Sequence, residues 1–277
     1  MKKILIIGHT GKLGSALCKH LPQGKTKLFT PKHQELDLSK ATSIQHYIDQ
    51  FGRFDCIINA AGFLHVDLAE QEPVTTLETN GIALYHLAKI CKKDRSLFIH
   101  FSTDYVFDGE KKKPYKEEDY KNPLNLYGKS KCIGDEIIQT IGDNYFIFRT
   151  SWLYDLSGKN FLSLIWEKSF TDETLHIVSD QIGTPTYVGD LADSVLKIMN
   201  LYFSEEKIPS STFHLAGSSE TSWYDLATFI LDEIKKYRPQ CPLKILPIST
   251  KDYRKKNQGV AQRPLYSALD STKVKKY

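Results

Sequence analysis

The chain has 277 residues, 41% of them hydrophobic, enough for one large domain or for a main domain with a smaller one attached, and its 37 basic and 33 acidic side chains leave a formal charge of only +4. No apolar window approaches the roughly 20 residues of a membrane span, and the apolar stretch at 4–7 is too short for a secretory signal, so the reading is a cytoplasmic protein without a membrane partner. Five widely spaced cysteines with no CxxC pair argue against a disulfide framework, a zinc site or any other metal cluster, and the lysine-rich runs at 111–113 and 251–256, lacking finger spacing or an aromatic RNA-binding signature, read as solvated faces and not as a nucleic-acid footprint.

In chain order, residues 3–7 read as a strand, 8–14 as a glycine turn and 15–21 as a helix. A short strand follows at 26–29, and a third carries Leu36 toward Asp37. Ser39 or Thr42 is placed to cap a helix through Ile44, Tyr47 and Ile48 that Gly52 stops. The apolar run at 54–58 predicts a strand ending at Asn59-Ala60-Ala61-Gly62, Pro73 opens a long helix through Leu77, Leu84, Leu87 and Ile90, and residues 97–101 form the next strand. A helix within 123–141 and a strand at 145–148 follow; beyond Trp152 the pattern loosens into a helix at 188–199, a strand at 212–215 and a helix at 223–237. Such alternation predicts the α/β class: a Rossmann-type doubly wound parallel sheet with a smaller C-terminal substrate lobe. Residues 1–150 would be mainly the dinucleotide domain and 151–277 mainly the lobe, some of whose segments return to the sheet.

Gly8, Gly11 and Gly14 fall at intervals of three, directly after the first strand and opening the first helix. Glycine there permits a tight turn and close approach to a pyrophosphate, whose charge faces the free N–H groups of the helix start. Residues Gly8, His9, Thr10, Gly11, Lys12, Leu13 and Gly14 are the expected cofactor cradle, a purely structural turn being the other reading. No acidic residue ends the second strand to grip the adenosine ribose of NAD; Thr30-Pro31-Lys32 follows instead, and a lysine there suits the extra phosphate of NADP. NADPH is therefore the expected cofactor, with NADH also accepted. Asp37 or Leu38 lines the adenine pocket unless Asp37 is a turn aspartate, and Asn59, Ala60 and Ala61 leave room beside the pyrophosphate and nicotinamide ribose. Asn80, among apolar neighbours, either braces backbone or touches ligand.

Tyr127 and Lys131 stand four residues apart, on one helix face. Adding hydride to a carbonyl leaves an alkoxide that needs a proton; a phenol is a poor acid at neutral pH, and a neighbouring ammonium lowers its pKa. In a chain of 15 tyrosines the spacing alone also fits surface decoration, but Ser102-Thr103-Asp104 closes the preceding apolar strand where open α/β sheets bind ligands. The expected division is Thr103 to polarise the carbonyl, Tyr127 to give the proton beside the nicotinamide, and Lys131 to tune Tyr127 while holding the cofactor ribose.

At this point the chain resembles the dTDP-4-dehydrorhamnose reductase family, within the extended short-chain dehydrogenase/reductases. The matching text is Gly8-x-x-Gly11-x-Leu13-Gly14; Asn59-Ala60-Ala61 with Val66-Asp67-x-Ala69-Glu70; Ser102-Thr103-Asp104-Tyr105-Val106-Phe107-Asp108-Gly109; Pro123-Leu124-Asn125-x-Tyr127-Gly128-Lys129-x-Lys131; and Arg149-Thr150-Ser151-Trp152-Leu153-Tyr154. It continues through Asp180-Gln181-x-Gly183-x-Pro185-Thr186, Thr221-x-Trp223-x-Asp225 and Arg263-Pro264-x-x-Ser267-x-Leu269-Asp270, nearly the whole chain. The resemblance implies reduction of the 4-keto group of dTDP-4-dehydro-6-deoxy-L-mannose to dTDP-L-rhamnose, with Thr103, Tyr127 and Lys131 as the catalytic triad. It places Ser102, Asp104, Tyr105, Val106, Trp152, Asn160, Gln181 and Arg263 on the substrate side, with Phe161 beside Asn160 and Arg263 toward the diphosphate. Core packing is the alternative for Trp152 and a structural salt bridge for Arg263. The partner is a nucleotide-diphosphate sugar, and a homodimer is common among such enzymes. The alternatives in function are reduction of another nucleotide-linked 4-keto sugar, or a noncatalytic NADP-binding regulatory subunit like that of methionine adenosyltransferase. Two departures from the family text stand out. Gly62-Phe63-Leu64-His65 puts Leu64 where a hydroxyl is usual, and the sequence stops at Lys275-Lys276-Tyr277 where relatives usually continue into another helix.

Overall fold

A six-stranded parallel sheet forms the centre of the computed structural model, which describes residues 1–22, 24, 26–171, 174–204 and 208–277. In chain order the strands of the protein are β1 (Lys2–Ile7), β2 (Thr26–Phe29), β3 (Cys56–Asn59), β4 (Leu97–Thr103), β5 (Tyr145–Thr150), β6 (Leu153–Tyr154), β7 (Thr174–Val178), β8 (Ile182–Gly183), β9 (Thr186–Tyr187), β10 (Ser211–His214), β11 (Thr221–Ser222) and β12 (Lys244–Ile248). The sheet order is β10-β5-β4-β3-β1-β2, with every neighbour parallel. β3 and β4 are buried along their whole length, as covering both faces requires. Alternation along β4 sends Leu97, Ile99 and Phe101 into one apolar layer and Phe98 into the other. The first layer is closed by α1 (Lys12–His20) and α8 (Val188–Phe203), the second by α2 (Ala41–Phe51), α5 (Ala83–Asp94) and α6 (Leu126–Ile141). The chain leaves β1 for β2 on one side and returns to β3 on the other, so the crevice at the carboxyl ends of β1 and β3 is a topological switch point.

Three local expectations are corrected. No strand forms at Leu36: residues 30–35 are too few for the dozen or more that a parallel crossover needs, and Leu36 and Leu38 instead bury their side chains beside α2. Neither Ser39 nor Thr42 caps α2. Its N-cap is Lys40 without a side-chain bond, while the Ser39 hydroxyl and N–H donate to Asp37 Oδ1 at 2.7 and 3.0 Å. After α3 (Val66–Ala69), the long helix opened by Pro73 runs in three parts: α4 (Pro73–Leu77), a π-turn at Glu78–Ile82, and α5. The widened turn carries Asn80, whose amide takes the Phe63 N–H at 2.8 Å and gives to the Phe63 carbonyl at 3.0 Å and the Ser130 hydroxyl at 3.0 Å.

The C-terminal lobe has its own apolar cluster, built from Ile165 of α7 (Phe161–Lys168), Ala227, Ile230, Leu231 and Ile234 of α9 (Trp223–Tyr237), and Leu243. β7 and β12 pair with each other beside it, and α10 (Thr250–Lys256) follows β12. Segments of the second half return to the sheet: β10 extends it beyond β5, and α8 packs on α1. All five cysteines are free thiols, four buried and Cys18 half-buried. Among the described residues no helix is long and apolar enough to cross a membrane.

Candidate functional site

The glycine turn is built by close backbone approach. Gly8 has φ +84°, and a Cβ there would lie 2.7 Å from the Ala61 nitrogen; a Cβ at Gly14 would lie 2.1 Å from the Gly8 carbonyl oxygen. The turn between β1 and α1 is thereby packed against the end of β3, where Asn59 Oδ1 accepts the Ala61 N–H at 3.1 Å. Gly11 is the N-cap of α1 and leaves the helix start without a side-chain cap, and a buried His9 Nδ1 has no partner. Beside it opens a cavity of about 410 Å³, lined by Gly8, His9, Thr10, Pro31, Lys32, Asp37, Leu38 and Ala61 among others. Free helix-start donors, a turn that excludes side chains and small alanines fit a nicotinamide dinucleotide. Within the expected cradle, Leu13 turns its side chain into the core and Lys12 is exposed. Asp37 is both a cavity wall and a turn aspartate, paired with Lys40 at 3.1 Å.

The second half of the site is set by how α6 starts. Asn125 caps it, accepting the Gly128 N–H at 2.8 Å and donating to the Gln262 carbonyl at 2.7 Å. A Cβ at Gly128 would lie 2.2 Å from the Tyr105 carbonyl oxygen, so glycine lets α6 lie against the turn Asp104–Val106 that follows β4. That contact sets the Tyr127 ring edge-on to Tyr105 at 6.0 Å, on the side of the turn that carries the Thr103 hydroxyl. The Thr103 hydroxyl donates to Asp104 Oδ1 at 3.0 Å and accepts the Tyr105 N–H at 3.2 Å. Asp104 is buried with Oδ2 unpartnered; burial pushes its carboxyl up to about 7 against the pull of the Ser267 and Thr103 hydroxyls. The Ser102 hydroxyl is also buried without a partner.

Lys131 lies on the expected helix face but not in the expected relation to Tyr127. Its buried amine donates to the Phe101 carbonyl at 2.6 Å and sits 3.0 Å from His100 Nε2. Burial lowers Lys131 to about 8, with Asp135 opposing the shift. Tyr127 is not acidified: burial raises it to about 12, the nearby Thr103 hydroxyl opposes this, and the charges of Asp104 and Asp135 add to it. The reason is geometric, since β4 and not Tyr127 takes up the Lys131 donors. One turn further on, Asp135 receives Arg149 Nε at 2.9 Å, both side chains being fully buried.

A second cavity, of about 310 Å³, lies where the lobe meets Tyr105; Phe161, Gln181, Trp223, Tyr253, Arg254 and Arg263 line it with Tyr105. Arg263 is ion-paired with Asp67 at 2.9 Å and donates to the Ala261 carbonyl at 2.8 Å, so it is at once a salt-bridge partner and a cavity wall. Gln181 donates to Thr250 Oγ1 at 3.0 Å. Three of the residues expected on the substrate side have structural partners. Val106 belongs to an apolar cluster with Phe107, Tyr115, Cys132 and Leu269. Asn160 caps α7 in a reciprocal box with Ser163, its amide donating to the Asp155 carbonyl at 2.8 Å. Trp152, at φ +45°, stacks on Trp223 with centroids 3.6 Å apart and covers Gly183. The sequence reading passed over His100, Tyr253 and Arg254. A polar residue inside a fully buried strand was the available signal for His100; α10, which carries the other two, gave none.

A family model described as the RmlD substrate binding domain matches residues 1–277. A dTDP-4-dehydrorhamnose reductase of Aggregatibacter actinomycetemcomitans is 36% identical over 277 residues, covering 99% of this chain and 92% of that protein. The spore coat polysaccharide biosynthesis protein SpsK of Bacillus subtilis is 35% identical over 271 residues, covering 97% and 89%. A crystal structure of dTDP-4-dehydrorhamnose reductase from Bacillus anthracis in complex with NADP superposes with a TM-score of 0.88 at 29% identity, covering 99% of this chain and 92% of that one.

Proposed function

The chain belongs to the dTDP-4-dehydrorhamnose reductase family, and on that premise we propose that it reduces the 4-keto group of dTDP-4-dehydro-6-deoxy-L-mannose with NADPH, giving dTDP-L-rhamnose. At the level the family carries, it is an oxidoreductase of nucleotide-linked 4-keto sugars that uses NAD(P)H. The observation that carries the finer reading is that Tyr105, a wall of the lobe-side cavity, holds both groups: its N–H donates to the Thr103 hydroxyl at 3.2 Å and its ring meets the Tyr127 ring edge-on at 6.0 Å.

A bound nicotinamide supplies the hydride. Tyr127 then gives its phenolic proton to the carbonyl oxygen as negative charge develops there. A phenol held at about 12 is still a far stronger acid than a secondary alcohol, so the transfer runs downhill. The Thr103 hydroxyl shares that oxygen and polarises the carbonyl, once its hydrogen turns from Asp104 to the substrate. Lys131, anchored by the Phe101 carbonyl, would hold the dinucleotide ribose with its remaining donors. Arg263, oriented by Asp67, offers its remaining donors to the diphosphate. Preference for NADPH is supported by Lys32 on the wall of the first cavity and by Thr30 at the end of β2, where an acidic residue would grip the NAD ribose.

The test is dinucleotide oxidation by the purified protein, followed at the nicotinamide absorbance, with dTDP-4-dehydro-6-deoxy-L-mannose and with 4-keto sugars on other nucleotides, using NADPH and NADH in parallel. The reading expects the highest kcat/KM for the dTDP sugar with NADPH. A higher value for another nucleotide would reassign the substrate, and dinucleotide binding without turnover on any sugar would favour a regulatory role.

A further inference from the structure

Four groups join the dinucleotide cradle to Lys131: the part-buried Ala61 N–H and the buried Asn59 amide, His100 imidazole and Lys131 amine. The donors and acceptors can be counted. Asn59 Oδ1 is taken by the Ala61 N–H at 3.1 Å, so Asn59 faces His100 Nδ1 with its Nδ2 donor, at 3.3 Å. A neutral imidazole has one N–H and one acceptor nitrogen. With Nδ1 accepting from Asn59, Nε2 carries the hydrogen and points it at Lys131 Nζ, 3.0 Å away. The chain closes only if that nitrogen presents a lone pair, while one of its own hydrogens goes to the Phe101 carbonyl at 2.6 Å. An ammonium has no lone pair, and it would need Nε2 as acceptor; the imidazole would then carry its hydrogen on Nδ1, donor against donor with Asn59.

We infer that His100 is a positioning residue whose two neutral tautomers make the Asn59–His100 hydrogen bond and the charge on Lys131 mutually exclusive, linking the loop that packs on Gly8 to the charge of the amine. When Lys131 becomes charged, the Nε2 hydrogen passes to Nζ, a solvent proton enters at Nδ1, and the Asn59 bond is lost; one proton is taken up. Burial of both His100 and Lys131 keeps them from carrying charge together, and His100 is held well below the ordinary histidine range by burial and by the Lys131 charge. The other ionisable groups around the pair are Tyr127 and Asp135 on α6, with Asp135 paired to Arg149 of β5, and Asp104 beyond Tyr127. By linkage, an anionic dinucleotide that favours the charged amine is bound with proton uptake above the Lys131 midpoint. The inference rests on the proposed role of Lys131, but its test does not use sugar turnover.

The measurement is ¹⁵N NMR of the imidazole and lysine nitrogens in the full chain, from pH 6.5 to 10, with His100 assigned by its absence in His100→Phe. The expected result is the Nε2–H tautomer of His100 at high pH, changing to Nδ1–H over the same interval in which one lysine, Lys131, gains its proton. In Asn59→Ala, which removes the competing donor, the Lys131 midpoint should rise by about one pH unit, a tenfold change. The wild-type spectrum alone decides the matter if either variant fails to fold. A single His100 tautomer throughout, or a change unconnected with Lys131, overturns the inference; a midpoint unmoved in folded Asn59→Ala overturns the coupling. Wild-type protein that shows the tautomer change but reduces no sugar would instead count against the reductase reading.

Discussion

Gly11 and Gly14 look interchangeable in the sequence, yet the structure makes opposite demands on them, and Gly14→Ala exposes the difference. Neither has a positive φ, so alanine costs no backbone strain at either, and in α1 it gains about 1 kcal/mol of helix propensity. At Gly14 the added methyl would lie 2.1 Å from the Gly8 oxygen and 2.7 Å from the Gly8 carbon, more than an ångström inside ordinary contact. The obstacle is backbone and cannot rotate away, so relief means moving α1. That helix is anchored through Leu13, Ala16 and Leu17 in the layer shared with α8. Overpacking of this kind costs about 1–3 kcal/mol or more, and a clash with fixed backbone belongs at the upper end. After the propensity gain, a loss of about 2 kcal/mol should remain, together with a large fall in dinucleotide affinity as the turn opens. At Gly11 the methyl meets only the Gly8 oxygen at 3.4 Å, so stability should change by less than about 1 kcal/mol while affinity still falls, because the methyl occupies the approach to the helix start. Urea denaturation and calorimetric titration with NADP⁺ on the two variants separate the effects. Wild-type stability in Gly14→Ala, or equal destabilisation by both, would refute the reasoning.

Arg149→Met should cost about 3–5 kcal/mol by stranding the buried Asp135 carboxylate, and Asp135→Leu in the same chain should recover most of the loss; denaturation midpoints read both, and a single-variant cost under about 1 kcal/mol would be inconsistent with the pair. Asp104 gives a pH signature. Its carboxyl is raised from the ordinary 3.8 to about 7 by burial, so between these values the folded chain keeps a proton that the unfolded chain has lost, and stability falls as pH rises through that window. Asp104→Asn should remove a slope worth up to about 4 kcal/mol between pH 4 and 7, seen as the difference between wild-type and variant urea midpoints; parallel curves would show that Asp104 does not titrate there.

The sheet was legible because its central strands β3 and β4 are buried on both faces and so read as apolar runs, and because the glycine turn sits where a strand meets a helix. The strands of the lobe were not. β7 and β12 are half exposed, β12 contains Pro247, and each finds its partner some 70 residues away (174 against 244), so no local pattern marks them. Helix spacing correctly put Tyr127 and Lys131 on one face, but whether they interact is decided by His100 and the Phe101 carbonyl of β4, which spacing along α6 cannot show. Asn160 is ambiguous in the sequence for a related reason: asparagine is both a ligand-binding residue and a good helix cap, and only the fold reveals that it caps α7. Arg263 forms the salt bridge with Asp67 and also lines the lobe-side cavity, because one guanidinium has donors enough for a carboxylate and for a cavity wall.

The most direct test of the whole account is the turnover of Tyr127→Phe, measured beside its NADPH affinity. The ring packing against Tyr105 is retained while the proton-giving hydroxyl is removed. The account predicts that kcat on the 4-keto sugar drops by about 10²–10⁴ with NADPH binding within a few-fold of wild type; turnover within threefold of wild type would contradict it.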